Sequence, residues 1–75
     1  MAKLGKYDVE IEYLDEQGNV FDSNCVLLTD SYEEAEAEAQ KVELHSDREQ
    51  VAIWLWDDDE TIVEESWVVK EFEKK

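Results

Sequence analysis

Proline is absent from this chain, glycine occurs twice, and cysteine, histidine and methionine occur once each. With no proline and so little glycine, no flexible or proline-rich linker divides the 75 residues, and a single domain is expected over 1–75, frayed at 1–5 and 73–75. The lone Cys25 excludes an internal disulfide. The lone His45 leaves no visible grouping of nucleophile, base and orienting acid, so no catalytic residue, and no enzyme, is expected. Apolar runs are short. Neither the opening residues 1–6 nor any later stretch has the length of a signal peptide core or a membrane span, and a cytoplasmic location is expected.

Positive charge is the largest deficit. Seven Lys and Arg stand against 22 Asp and Glu, a formal charge of −15, whereas a small domain stays soluble with a net charge of roughly 2 to 8. Such a surface repels nucleic acid and anionic membranes, which need Lys and Arg at the contact, and attracts basic protein surfaces. Disorder is not implied: 43% of the residues are apolar, with three Trp, three Tyr and two Phe.

Tyr7, Val9, Ile11 and Tyr13 alternate with Asp8, Glu10 and Glu12, the period of a strand with one apolar face. Residues 15–19 supply a turn in which Gly18 can take positive φ, and 20–28 read as the returning strand. Ser31 and Glu34 have capping-box spacing ahead of a helix over 32–44, rich in Ala and Glu. Its apolar side carries Ala35, Ala39 and Val42, and its outer side Glu33, Glu36, Gln40 and Glu43. A third strand over 50–56 places Val51, Ile53 and Leu55 on one face and Ala52, Trp54 and Trp56 on the other. After Asp57-Asp58-Asp59-Glu60 a last strand, or two short ones, runs over 61–72; a tight turn at Asp58-Asp59 would set Leu55 opposite Ile62 and Trp54 opposite Val63. The expected fold is α+β, in the order ββαββ: a four-stranded antiparallel sheet with one helix packed on a face.

The carboxylates fall into three sets: the strand stripe Asp8, Glu10 and Glu12; the helix face with Glu33, Glu36 and Glu43; and the turn Asp57, Asp58, Asp59 and Glu60. The turn lacks the glycine and ligand spacing of an EF-hand loop, so neither a metal nor any other cofactor is expected. Cys25 reads as a packed strand residue, and the tryptophans as a second-face cover or an interface. Same-face carboxylates on a strand repeat about every 6.8 Å, and duplex DNA carries one charge per about 1.7 Å of axis. A chain of this length is expected to be roughly 30 Å across, a span of duplex holding about 17 or 18 phosphates, comparable with the net charge. That match supports an imitation of DNA, with carboxylates standing where phosphates would; a solvated acidic surface, as in a salt-adapted organism, carries the same charge.

In its shortness, one-helix sheet and helix-borne glutamates, the chain resembles the small acidic anti-CRISPR and anti-restriction DNA mimics encoded by phages and mobile elements. The resemblance is one of type over the whole chain. It implies an inhibitor in the cytoplasm of a host bacterium that occupies the basic nucleic-acid-binding surface of a defence nuclease or CRISPR surveillance complex, as a monomer or weak homodimer. The alternative is a small interaction or assembly module working through a sheet edge or the tryptophan face.

Overall fold

In a computed structural model of the protein, which describes residues 6–59 and 61–73, the chain runs β1 (Tyr7–Leu14), β2 (Val20–Thr29), α1 (Tyr32–Lys41), β3 (Glu49–Trp56) and β4 (Val63–Glu71). The four strands form one antiparallel sheet in the order β2-β1-β3-β4, an α+β fold of ββαββ order. Strands β2 and β3 flank β1 and run parallel to each other, so the chain must cross β1 between them. Helix α1 makes that crossing and covers one face of the sheet.

The covered face holds the core. Val9, Val51 and Ile53 point from the two central strands at Ala35 and Ala39 of the helix, and all five are fully buried. Alanine lets the helix sit close to the sheet but removes little apolar area from water. Larger side chains therefore close the margins: Tyr7, Leu27, Val42, Leu44, Trp67 and Val69 pack around the five. The outcome is a slab with principal extents of 43 × 23 × 15 Å, not the 30 Å body expected from chain length. One sheet and one helix make two layers, and two layers cannot round off.

Local chemistry sets the connections. Asp15 closes the β1–β2 turn by accepting the N–H groups of Gln17 and Asn19 at 2.9 Å each, with Gly18 at φ +86°. At the helix start Ser31 accepts the Glu34 N–H at 3.2 Å. The return leg of the capping box runs through Thr29: its hydroxyl accepts the Ser31 N–H at 3.1 Å and donates to the Glu34 carboxylate.

Two boundaries differ from the sequence reading. The helix stops at Lys41 rather than 44, because Val42 turns extended (φ −68°, ψ 133°) and Lys70 of β4 donates to the carbonyls of Gln40 and Val42 at 2.8 and 2.6 Å. Glu43 thus lies beyond the helix. The β3–β4 link is wider than a tight turn: the Asp57 N–H bonds the Ile62 carbonyl, and the Asp57 carboxylate accepts both the N–H and the hydroxyl of Thr61. Consequently Leu55 pairs with Glu65, Trp54 with Ser66 and Trp56 with Val63. Of the expected frayed ends only Glu73 falls among the described residues.

Candidate functional site

The face away from the helix is where the strand carboxylates lie. Period two sends Asp8, Glu10 and Glu12 to this side, and the central place of β1 gives each a neighbour on both flanks. Cross-strand triplets read Leu28–Asp8–Trp54, Cys25–Glu10–Ala52 and Ser23–Glu12–Gln50. No helix covers them, yet they are buried, at 4, 5 and 8% exposure. The sequence reading left this stripe facing a partner; in the structure side chains from β3 roof it over.

That roof is built of hydrogen-bond donors. Trp54 Nε1 donates to Glu12 Oε2 and Gln50 Nε2 to Glu12 Oε1, both at 2.8 Å. Trp56 Nε1 donates to Asp8 Oδ2 at 2.9 Å. Trp54 pairs across from Asp8 but bonds Glu12, so its ring runs over Ala52, which is 1% exposed although it faces away from the core. The indole is amphipathic, supplying apolar cover and one N–H to a carboxylate that has left water. The Trp54 and Trp56 centroids are 6.2 Å apart. Trp67 does not join them: it lies on the helix side, 6.2 Å from Tyr32, which itself meets Tyr7 edge-on at 5.4 Å.

Glu10 holds its proton more tightly than an ordinary carboxyl. Burial is the largest cause, followed by its hydrogen bond and charge interaction with Asp8, and together they push it up to about 7, against a counter-pull from the Ser23 hydroxyl. A proton on Glu10 also relieves the repulsion between two carboxylates in one buried place. Asp8 Oδ1 is buried and, the Glu10 proton aside, has no hydrogen-bond donor among the described residues. Across the strand, Cys25 is pushed up to about 11 by desolvation of its thiol and then by Asp8 and Glu10.

Cys25 reaches this face through a bulge. Val9 pairs with Leu27 and Glu10 with Cys25, leaving Val26 as an extra residue in β2. Without it Cys25 would point to the helix side. The expectation of a packed cysteine is overturned: the residue is exposed. Ligand atoms of Asp8, Glu10 and Cys25 all lie within 4.8 Å of one another, a cluster of two carboxylates and a thiol that no residue spacing along the chain announces.

The other acidic sets stand elsewhere. Glu33 and Glu36 are exposed on the helix, on the opposite side of the sheet from the strand stripe. Glu43 is exposed past the helix end, beside an open groove of about 1060 Å³ that it lines with Leu44, Val69 and Phe72. At the turn Asp57 is half-buried and bonded to Thr61, Asp58 and Asp59 are exposed, and Glu60 lies outside the described residues. The three sets therefore do not form one surface. The exposed glutamates of the helix and the roofed carboxylates of β1 are separated by the thickness of the sheet.

The uncovered face also carries apolar side chains. Leu28 is 51% exposed and Val68 44%, and Val26 and Val63 are partly exposed near them. No described helix is long and apolar enough to cross a membrane. No protein-family model matches the sequence, and no curated protein or solved structure is similar to it.

Proposed function

We propose that the chain is a non-catalytic binding domain that occupies the nucleic-acid-binding surface of a basic protein through its exposed carboxylates. The observation that carries this reading is the outer side of α1: Glu33 and Glu36 are exposed and, among the described residues, have no ion pair within the chain. Spreading 15 net charges over the 43 Å long axis gives about 2.9 Å per charge, nearer the 3.4 Å per phosphate of one DNA strand than the 1.7 Å of the duplex. That is an average over both faces, and the part a basic groove can meet at once is the helix side with Glu33 and Glu36. In the finer form favoured by the resemblance to phage-encoded mimics, the partner is a bacterial defence nuclease or RNA-guided surveillance complex, and the domain blocks DNA access in the host cytoplasm. Electrostatic steering makes such association fast and salt-sensitive.

The test is target-duplex binding by a panel of purified surveillance complexes and restriction endonucleases, with and without the domain. Inhibition that falls with added salt, and that is lost in Glu33→Lys/Glu36→Lys, is the expected result. Failure to inhibit any member at low salt, where steering is strongest, argues against the reading.

A second reading rests on the uncovered sheet face, where exposed Leu28 and Val68 flank the indole roof. It makes the domain an assembly module that uses an apolar contact. Leu28→Lys separates the two cases, because it leaves the helix glutamates in place. Light scattering that detects a salt-tolerant dimer, lost in Leu28→Lys, favours assembly; a monomer at every salt concentration removes it.

A further inference from the structure

The cluster on the uncovered face gathers two carboxylates and a thiol, with ligand atoms within 4.8 Å of one another, around a buried Asp8 oxygen. Trp56 Nε1 holds Asp8 Oδ2, while Oδ1 is buried in a residue 4% exposed and, the Glu10 proton aside, has no donor among the described residues. An orphaned buried carboxylate oxygen costs the full desolvation of that atom. Glu10 is buried beside it at 5% exposure. Asp8 thus has one outer partner that fixes its orientation and a buried oxygen turned to the cluster, the pattern of outer-shell support around a metal ligand. The third member, Cys25, comes from the neighbouring strand directly opposite Glu10 and is exposed, which leaves a way in from solvent.

We propose that Asp8, Glu10 and Cys25 bind a divalent cation of the zinc class, through Asp8 Oδ1, one Glu10 oxygen and Cys25 Sγ, with water in the fourth position. Ligand atoms within 4.8 Å of one another suit a tetrahedral ion with metal–oxygen and metal–sulfur bonds of about 2.0 to 2.3 Å, after the side chains close in by roughly 1 Å. The thiol selects the metal. Calcium and magnesium want six or more oxygen ligands, whereas a borderline-soft ion accepts mixed thiolate and carboxylate donors. Binding displaces protons from Cys25 and Glu10 to solvent, and the cation replaces three-way repulsion with attraction. The proposal uses none of the helix glutamates and stands apart from the function proposed above.

Cobalt(II), a coloured zinc surrogate, provides the test on the full, reduced chain in metal-free buffer. A thiolate-to-cobalt charge-transfer band that saturates at one equivalent and is displaced by zinc is expected. Cys25→Ser abolishes the band, and Asp8→Asn and Glu10→Gln each weaken binding by about tenfold or more. Surface carboxylates give no thiolate band, so their weak cobalt binding is not mistaken for the site. Because Asp8 is buried, circular dichroism checks each variant for folding, and the exposed Cys25→Ser carries the test if Asp8→Asn fails to fold. Zinc should also raise the Tm of the parent chain and leave that of Cys25→Ser unchanged. Absence of the charge-transfer band at neutral pH, or a zinc-induced Tm rise equal in parent and Cys25→Ser, overturns the proposal.

Discussion

The two faces of this sheet are buried by different means. On the helix side Val9, Val51 and Ile53 meet two alanines, and exclusion of apolar surface from water is the driving force. On the other side Asp8, Glu10 and Glu12 are nearly as well hidden, but under tryptophan and glutamine side chains that donate hydrogen bonds to Asp8 and Glu12. The first face tolerates any apolar side chain of suitable volume. The second depends on particular donors meeting particular acceptors, so it is specific and costly to leave incomplete. A domain of 75 residues has little core to spare, and this one commits the centre of a strand to three acids.

The comparison can be broken from the helix side first. Ile53→Ala empties the largest fully buried side chain and should cost about 4 kcal/mol in urea unfolding, enough to leave much of the population unfolded.

A smaller effect should appear on the other face as a pH dependence. Glu10 has a folded pKa raised to about 7 from 4.5, so between these values the folded state keeps a proton that the unfolded state has lost. Stability contributed by that proton is complete below about pH 4.5, declines as pH rises towards 7, and is gone above it. With a chelator present to exclude metal, the difference in stability between parent and Glu10→Gln should therefore change by about 3 kcal/mol across that window and be flat beyond it. Asp8 and Glu12 on β1 and Cys25 on β2 face the same group and remain in both proteins; because Asp8 shares the proton with Glu10, the difference reports the Asp8–Glu10 pair. A parent and variant with parallel pH profiles would place the proton elsewhere.

The smallest of the three is Trp54→Phe, which keeps most of the ring over Ala52 but deprives Glu12 Oε2 of its donor. A loss of about 2 kcal/mol is expected, and in a double-mutant cycle with Glu12→Gln the two changes should be non-additive. Additivity would mean that the indole acts only as apolar cover.

The fold was legible because each element carried its own periodicity: Tyr7 to Tyr13 alternating, Ser31 capping an Ala/Glu-rich helix, and Val51, Ile53 and Leu55 marking the inner face of β3. The site was not, for a physical reason. Alternation assigns Asp8, Glu10 and Glu12 to a side of the sheet, but whether that side is wet depends on β1 being central and on what its neighbours carry. That is a property of strand order. The place of Cys25 depends on one extra residue in β2, and the β3–β4 register on the side chain of Asp57; neither leaves a mark in hydrophobic pattern. The indole donors were visible as residues only, since Trp54 bonds a carboxylate displaced from its pairing partner.

The irregularities of the sheet are distributed unevenly. The β1–β3 ladder is unbroken, whereas β2 carries extra residues at Phe21 and Val26 and β4 at Glu64 and Val69. Both outer strands are therefore kinked twice, and both have open hydrogen-bonding edges. A straight edge bearing exposed Phe21, Val26 and Leu28 would be a template on which further chains could add strand by strand. Kinks spoil the repeat that such growth needs, and the many like charges oppose it at longer range. The molecule is protected against polymerisation by the same bulge that turns Cys25 outwards.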